Sequence, residues 1–251
     1  MKKQIKDFLA NIYYVLYRKH NRLIGNRILL YHSIGTSLDF DTYGMSISKE
    51  LFTRHINYLV DNFEIISVSR QTYDNELNRE TVSISFDDGF KDNLYALELL
   101  EKKALPFSLY ITTGYIGKKN YLDKREIQIF SESKFCTIGS HGTSHYPLSK
   151  LDYQKQYIEL SDSKKILEDI TGKEIRTMSY PHGAYNNSTI KALDDVGYNL
   201  VSSSHFGINT TQTMTYNRLK RIEMIASDDL VQLQKKLLGY YDYLALIENF
   251  R

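Results

Sequence analysis

The chain of 251 residues has no tryptophan, three prolines and one cysteine, Cys136. A single cysteine cannot close an internal disulfide, so the fold must rest on its apolar core; this usage also fits a reducing compartment. Three prolines leave little room for a Pro/Gly/Ser linker, and no repeat or low-complexity tract interrupts the sequence. Net charge is only +2, which gives no electrostatic support to a nucleic-acid role. No apolar run is long enough to span a bilayer. Against these absences, 42% hydrophobic and 25% charged residues make an ordinary globular composition, at a length that one α/β barrel often occupies. The 21 tyrosines suit sugar contacts, but a Lys- and Ile-rich composition accounts for them more simply.

Charge is unevenly placed. Residues 1–27 carry Lys2, Lys3, Lys6, Arg18, Lys19, Arg22 and Arg27 against Asp7 alone, so this segment is +6 and the remainder −4. Ile5, Phe8, Leu9, Ile12 and Leu16 recur at helical spacing and predict a basic amphipathic helix within residues 1–26, ahead of a domain over 27–251. Lys3, Lys6 and Asp7 crowd what would be the apolar region of a signal peptide, and no small-x-small cleavage pattern follows. Two readings stand side by side. The apolar stripe packs on the domain, or the helix lies on an anionic membrane, where each Lys/Arg contributes about 1 kcal/mol. An uncleaved anchor or unusual signal is a third.

From residue 27 onward, strand-like apolar runs are expected at 27–32, 64–68, 81–86, 107–112, 135–139, 177–180, 198–202 and, more weakly, 221–224. Helical patterns fall between several of them, at 49–61, 91–103, 153–170 and 188–196. Asp152 is a candidate cap, and Gly172 and Gly197 are candidate stops. Strands alternating with helices predict a distorted (β/α) barrel of about seven parallel strands. In such barrels, chemistry collects at the C-terminal strand ends.

Three strand ends carry reactive side chains. Ser83-Ile84-Ser85-Phe86-Asp87-Asp88-Gly89 closes a strand with paired carboxylates. Neighbouring strand residues face opposite ways, so both acids can serve one centre only if the chain bends, here at Gly89. One acid of such a pair can bind a metal while the other works as a base. Ser140-His141-Gly142-Thr143-Ser144-His145 places two imidazoles either one helical turn apart or across a tight strand-to-helix bend. Asp88, His141 and His145 then form a two-histidine, one-carboxylate set with open positions, the pattern of a catalytic metal. Ser179-Tyr180-Pro181-His182-Gly183 turns at a third strand end and can aim backbone N–H groups into a site.

Taken together, these residues resemble the motifs of the polysaccharide deacetylases, carbohydrate esterase family four, which share the nodulation-factor deacetylase domain. Ser85–Gly89 is similar to motif one, His141–His145 to motif two and Tyr180–Gly183 to motif three. Ile111–Gly117 is similar to the strand between the first two. The resemblance implies that Asp87 is the general base and that Asp88, His141 and His145 bind a divalent metal. Zn2+ is the usual ion, with Co2+, Ni2+ and Mn2+ as alternatives. It implies that the ion polarises an acetyl carbonyl and acidifies water, that the N–H of His182 binds the oxyanion, and that Pro181 and Tyr180 of the same turn belong with it to the oxyanion and substrate-binding site.

Two departures accompany the resemblance. The family's C-terminal Leu-x-His, source of the general acid, is missing, and no histidine follows residue 205. His32, in Leu29-Leu30-Tyr31-His32, is similar to the histidine that circularly permuted members carry near the N-terminus, and is the candidate general acid. Ser179 stands where many members have a base-orienting arginine, so Arg221 is a candidate for that task from another strand. The family's Trp-containing motif is also lacking. The expected activity is removal of N-acetyl groups from an amino sugar in an oligosaccharide, glycan or lipid-linked precursor. The alternatives are an O-acetyl polysaccharide esterase, another amidase of the superfamily, or a non-catalytic carbohydrate-binding relative. The basic helix and lone cysteine lean toward a cytoplasmic enzyme at the inner membrane face, with export left open.

Overall fold

A computed structural model describes residues 2–76 and 78–248. The expected barrel forms. Its strands are β1 (Asn26–Tyr31), β2 (Glu64–Ile65), β3 (Thr81–Phe86), β4 (Phe107–Ile111), β5 (Cys136–Ser140), β6 (Thr177–Ser179), β7 (Leu200–Ser202) and β8 (Arg221–Glu223). They run β7-β6-β5-β4-β3-β1-β8 with every ladder parallel, and β2 pairs beside the start of β3. Leu219 bridges Ser202 in parallel, just ahead of β8, and brings the open edges of β7 and β8 nearly together. Parallel strands put all C-terminal ends at one mouth. There, His32, Asp87, His141 and the turn after β6 follow directly on β1, β3, β5 and β6.

The central strands show why the sheet is stable. β1 and β3 are buried at every residue. On β3, Val82, Ile84 and Phe86 belong to the main apolar core. The alternate residues are small and polar: Asn26 Nδ2 donates to Thr81 Oγ1 and Ser83 Oγ at 3.1 Å each, and Ser85 Oγ donates to the Leu29 carbonyl at 2.9 Å. A buried hydroxyl needs such a partner to offset its lost hydration. Asp87 continues this polar face and therefore points at the barrel axis.

Helices cover the sheet: α2 (Lys49–Asn62), α3 (Arg70–Glu76), α4 (Asn93–Lys102), α5 (Lys124–Glu132), α6 (Tyr153–Thr171), α7 (Asn187–Val196), α8 (Leu230–Leu238) and α9 (Tyr243–Glu248). Asp152 caps α6 by accepting from the Lys155 N–H, and Gly172 and Gly197 end α6 and α7 in the left-handed region. The strand expected at 64–68 pairs only over Glu64–Ile65, because β4 takes the same edge of β3 from Ser85 onward.

The N-terminal helix, α1 (Lys2–Tyr13), continues through a wider π-type turn at Tyr14–Arg18. Its apolar stripe is not what packs on the barrel. Asp7 accepts from Tyr241 Oη at 2.6 Å, Ala10 is fully buried, Tyr14 stacks on Tyr240 at 3.7 Å between ring centroids, and Arg18 Nε donates to Asp242 at 2.9 Å. Phe8 and Leu16, on the stripe, are 64% and 76% exposed. Of the readings left open by the sequence, the one in which the stripe packs on the domain is corrected: a polar and aromatic face docks the helix instead.

Candidate metal centre

Asp87 and Asp88 reach one centre because the chain turns at Asp88 itself, at φ 73°, and again at Gly89, at φ 77°. The bend thus starts one residue earlier than expected. His141 leaves β5, and a loop containing Gly142 (φ 73°) brings back His145 (φ 61°). The two histidines flank neither a helical turn nor a strand-to-helix bend. Glu159 of α6 fixes this loop by accepting from the N–H groups of Thr143 and Ser144 at 2.9 Å each. Left-handed backbone at non-glycine residues carries strain and gathers at functional sites.

One ligand atom each from Asp88, His141 and His145 lies within 4.8 Å of the others. Nε2 of His145 is 3.2 Å and Nε2 of His141 3.6 Å from Asp88 Oδ1. Among the described residues that oxygen has no hydrogen-bond partner although it is buried, a costly state for a carboxylate unless a cation completes it. Nδ1 of His141 sits 2.8 Å from the Ser179 carbonyl, so its proton belongs there and the Nε2 lone pair faces the cluster. Burial pushes His141 down to about 4, only partly opposed by Asp87, which keeps the ring in its ligating neutral form. Oxygen plus two imidazole nitrogens with open positions fits a divalent ion.

Asp87 is handled differently. Arg221, 1% exposed, gives Nη1 to Asp87 Oδ1 and Nη2 to Oδ2 at 2.7 Å each, and Ser179 Oγ donates to Oδ2 at 3.0 Å. Burial alone would raise the Asp87 pKa. Arg221 and His141, with a smaller contribution from His32, outweigh it and hold the carboxyl well below the usual range. Arg221 thus meets Asp87 from β8. Ser179, read from the sequence only as a missing arginine, is part of the same network, since Arg221 Nη2 donates to its hydroxyl at 2.6 Å.

His32 follows Tyr31, whose carbonyl accepts from the Asp87 N–H at 3.0 Å, so its backbone enters the mouth level with Asp87. Its Nδ1 is buried and has no partner among the described residues. His182, at φ 55°, stands in the turn after β6 with its ring 4.5 Å from that of His145. Tyr180, expected among the substrate contacts, is corrected. Its side chain is fully buried, stacked on Tyr185 and hydrogen-bonded to the Asn217 carbonyl at 2.7 Å, so it offers a substrate no surface. Pro181 is buried against Gly142. Sequence reading missed an aromatic wall beside the cluster: Tyr115 lies 6.1 Å from His145 and 4.7 Å from Tyr121, which stacks on Phe90 at 4.9 Å. No local pattern marks it, because a loop and a strand end supply its members.

Comparison with known proteins gives the same architecture a family. Residues 74–201 match the family model described as polysaccharide deacetylase. The chain is 30% identical over 179 residues to a putative polysaccharide deacetylase, YxkH, of Bacillus subtilis, covering 69% of this chain and 62% of that protein. It is 24% identical over 179 residues to a poly-beta-1,6-N-acetyl-D-glucosamine N-deacetylase of Staphylococcus aureus, covering 65% and 61% respectively. It therefore spans less than two thirds of the length of these relatives. A solved polysaccharide deacetylase from Bacillus cereus superposes with a TM-score of 0.75 at 22% identity, over 85% of this chain and 69% of the other, which is a likeness of fold. With its site and more than half of its length matched, the chain belongs to the polysaccharide deacetylase family.

Proposed function

We propose that the protein is a metal-dependent hydrolase that removes N-acetyl groups from an amino sugar within a glycan or a lipid-linked glycan precursor. One observation carries the reading: a buried carboxylate oxygen without a partner, faced by two imidazoles and set beside a second carboxylate that Arg221 keeps charged. The S. aureus relative is named as an N-deacetylase of a poly-N-acetylglucosamine, which favours amide over ester cleavage.

Asp88, His141 and His145 would hold the ion. Zn2+ suits an imidazole-rich set best, with Co2+, Ni2+ or Mn2+ as substitutes. Such an ion, when bound, supplies polarisation of a carbonyl and acidification of water. Asp87 takes the proton of the attacking water. Among the described residues its Oδ1 accepts from Arg221 Nη1 alone and keeps a lone pair for that step. Arg221 orients the carboxylate and lowers its proton affinity, so Asp87 works by placement rather than by strong basicity. The His182 N–H stabilises the oxyanion, and His32 protonates the departing amine.

Acetate release from acetylated chitooligomers, poly-N-acetylglucosamine and acetylxylan, with and without chelator, tests the proposal. Release from the N-acetylated substrates should cease with chelator and return with a divalent ion. Chelator-insensitive release contradicts it, and turnover of acetylxylan alone would favour an O-acetyl esterase.

A further inference from the structure

We infer that the outward face of α1 is a docking surface for an anionic phospholipid bilayer. The stripe Ile5, Phe8, Leu9, Ile12 and Leu16 lies exposed along one side of the helix, although five such residues at helical spacing normally seek cover. The helix is held in place without them. Asp7, Ala10, Tyr14 and Arg18 occupy the barrel side through the tyrosines of 240–243 and Asp242. The docked helix therefore presents its apolar face rather than hiding it.

Charge selects the occupant. Lys6 and Lys19 are exposed at opposite ends of the stripe, and Asp7, the sole acid in residues 1–27, is engaged by Tyr241. Beyond the end of the stripe, a cavity of about 390 Å³ adds Arg18, Lys19, Arg22 and Arg27 to its lining, with the exposed Leu23 at its edge. Arg18 and Arg27 are buried and share Asp242, and Glu80 answers Arg22, so around this cavity cations still exceed acids, with Lys19 exposed at its rim. Two copies of the stripe packed together would bring like charges into contact with no acid to separate them. A bilayer bearing anionic headgroups satisfies both the apolar face and its basic margin. Among the described residues no helix is long and apolar enough to cross a membrane, so this one lies in the interface plane.

Flotation of the full chain with phosphatidylglycerol-containing and pure phosphatidylcholine vesicles tests the inference. Wild-type protein should float with the anionic vesicles and far less with the neutral ones, and high salt should weaken the association. Phe8→Ser/Leu16→Ser should lower the partition coefficient by roughly 100-fold. Lys19→Glu should weaken the preference for anionic lipid. Acetate release from a soluble substrate and the thermal midpoint should be unchanged in both variants, which separates lipid docking from misfolding and from failure of the deacetylase reading. Absence of flotation by the wild type overturns the inference. So does a wild-type dimer, seen by sedimentation, that Phe8→Ser/Leu16→Ser dissociates without any change in vesicle binding.

Discussion

Replacing Arg221 with Met is the most demanding test of how this barrel holds its charges. Met keeps much of the apolar stem but removes a fully buried cation with hydrogen bonds to both Asp87 oxygens, to Ser179 Oγ and to the Ser203 carbonyl. Asp87 would then rely on the Ser179 hydroxyl, at 3.0 Å. Removing one member of a buried ion pair costs about 3–5 kcal/mol, because the other charge is left without compensation. That is a large share of the ~5–15 kcal/mol that keeps a domain folded. Asp87→Asn/Arg221→Met should recover about 2 kcal/mol of the loss, since neither charge is then stranded. The pH dependence should change sign locally. In the wild type Asp87 has a depressed pKa, so its contribution is present above about pH 4, the unfolded value, and is lost as pH falls through the folded one. Without Arg221, the strongest influence opposing burial is gone and the Asp87 pKa rises relative to wild type, so Arg221→Met should regain stability relative to wild type as pH falls from about 7 toward 4. Urea unfolding followed by circular dichroism, in chelator so that ion binding adds nothing, measures each quantity. A loss under about 1 kcal/mol at pH 7, or simple additivity in the double variant, would refute the reasoning.

Other outcomes follow from single sites. His32→Ala should lower acetate release by ~100-fold or more while leaving bound metal near one per chain; loss of the metal would place His32 on the ion instead. Asp88→Asn should weaken metal binding, read by titration with the ion, without unfolding the protein. His55 is buried between Tyr31 Oη and the Asp228 carbonyl, and burial pushes it down to about 4, so wild-type stability should be complete above about pH 6.5 and fall by roughly 3 kcal/mol toward pH 4. His55→Gln should flatten that slope in urea titrations. Gly139→Ala should cost ~1–3 kcal/mol, since a methyl group there would meet Thr177 Oγ1 and Tyr110 Cδ1 at 2.6 Å each.

The parts of the molecule that obey short-range rules were legible in the sequence. The apolar run of β1 and the apolar–serine alternation of β3 mark buried strands, and the Asp152 and Gly172 boundaries of α6 fall where capping chemistry puts them. Asp123–Glu126 is a capping box that announces α5, a signal present in the sequence although no helix was expected there. The metal cluster was readable because Asp88 and His141 each follow a strand end beside a glycine and His145 lies four residues past His141. Contacts between distant segments were less so. The chain from Asp87 to Arg221 passes through four further strands, β4 to β7, before the two meet, and Arg221 was suggested by the family's arginine missing at Ser179 rather than by any local pattern. The fate of the α1 stripe was beyond periodicity altogether. Spacing says which residues share a face, whereas the tyrosines of 240–243 decide which face is covered.

The left-handed residues of the mouth have a consequence for how this sequence can drift. Asp88, His145 and His182 each hold a backbone shape that glycine adopts freely and that costs a side chain about 1 kcal/mol or more. At these three positions, selection for chemistry and selection for stability pull in opposite directions. A duplicate copy released from its chemistry would be more stable with glycine at 88, 145 or 182, so these sites would be among the first to change. Glycine at 88 or 145, in a descendant that otherwise keeps the barrel, would mark the loss of the reaction before any core residue recorded it, whereas glycine at 182 would keep the backbone N–H.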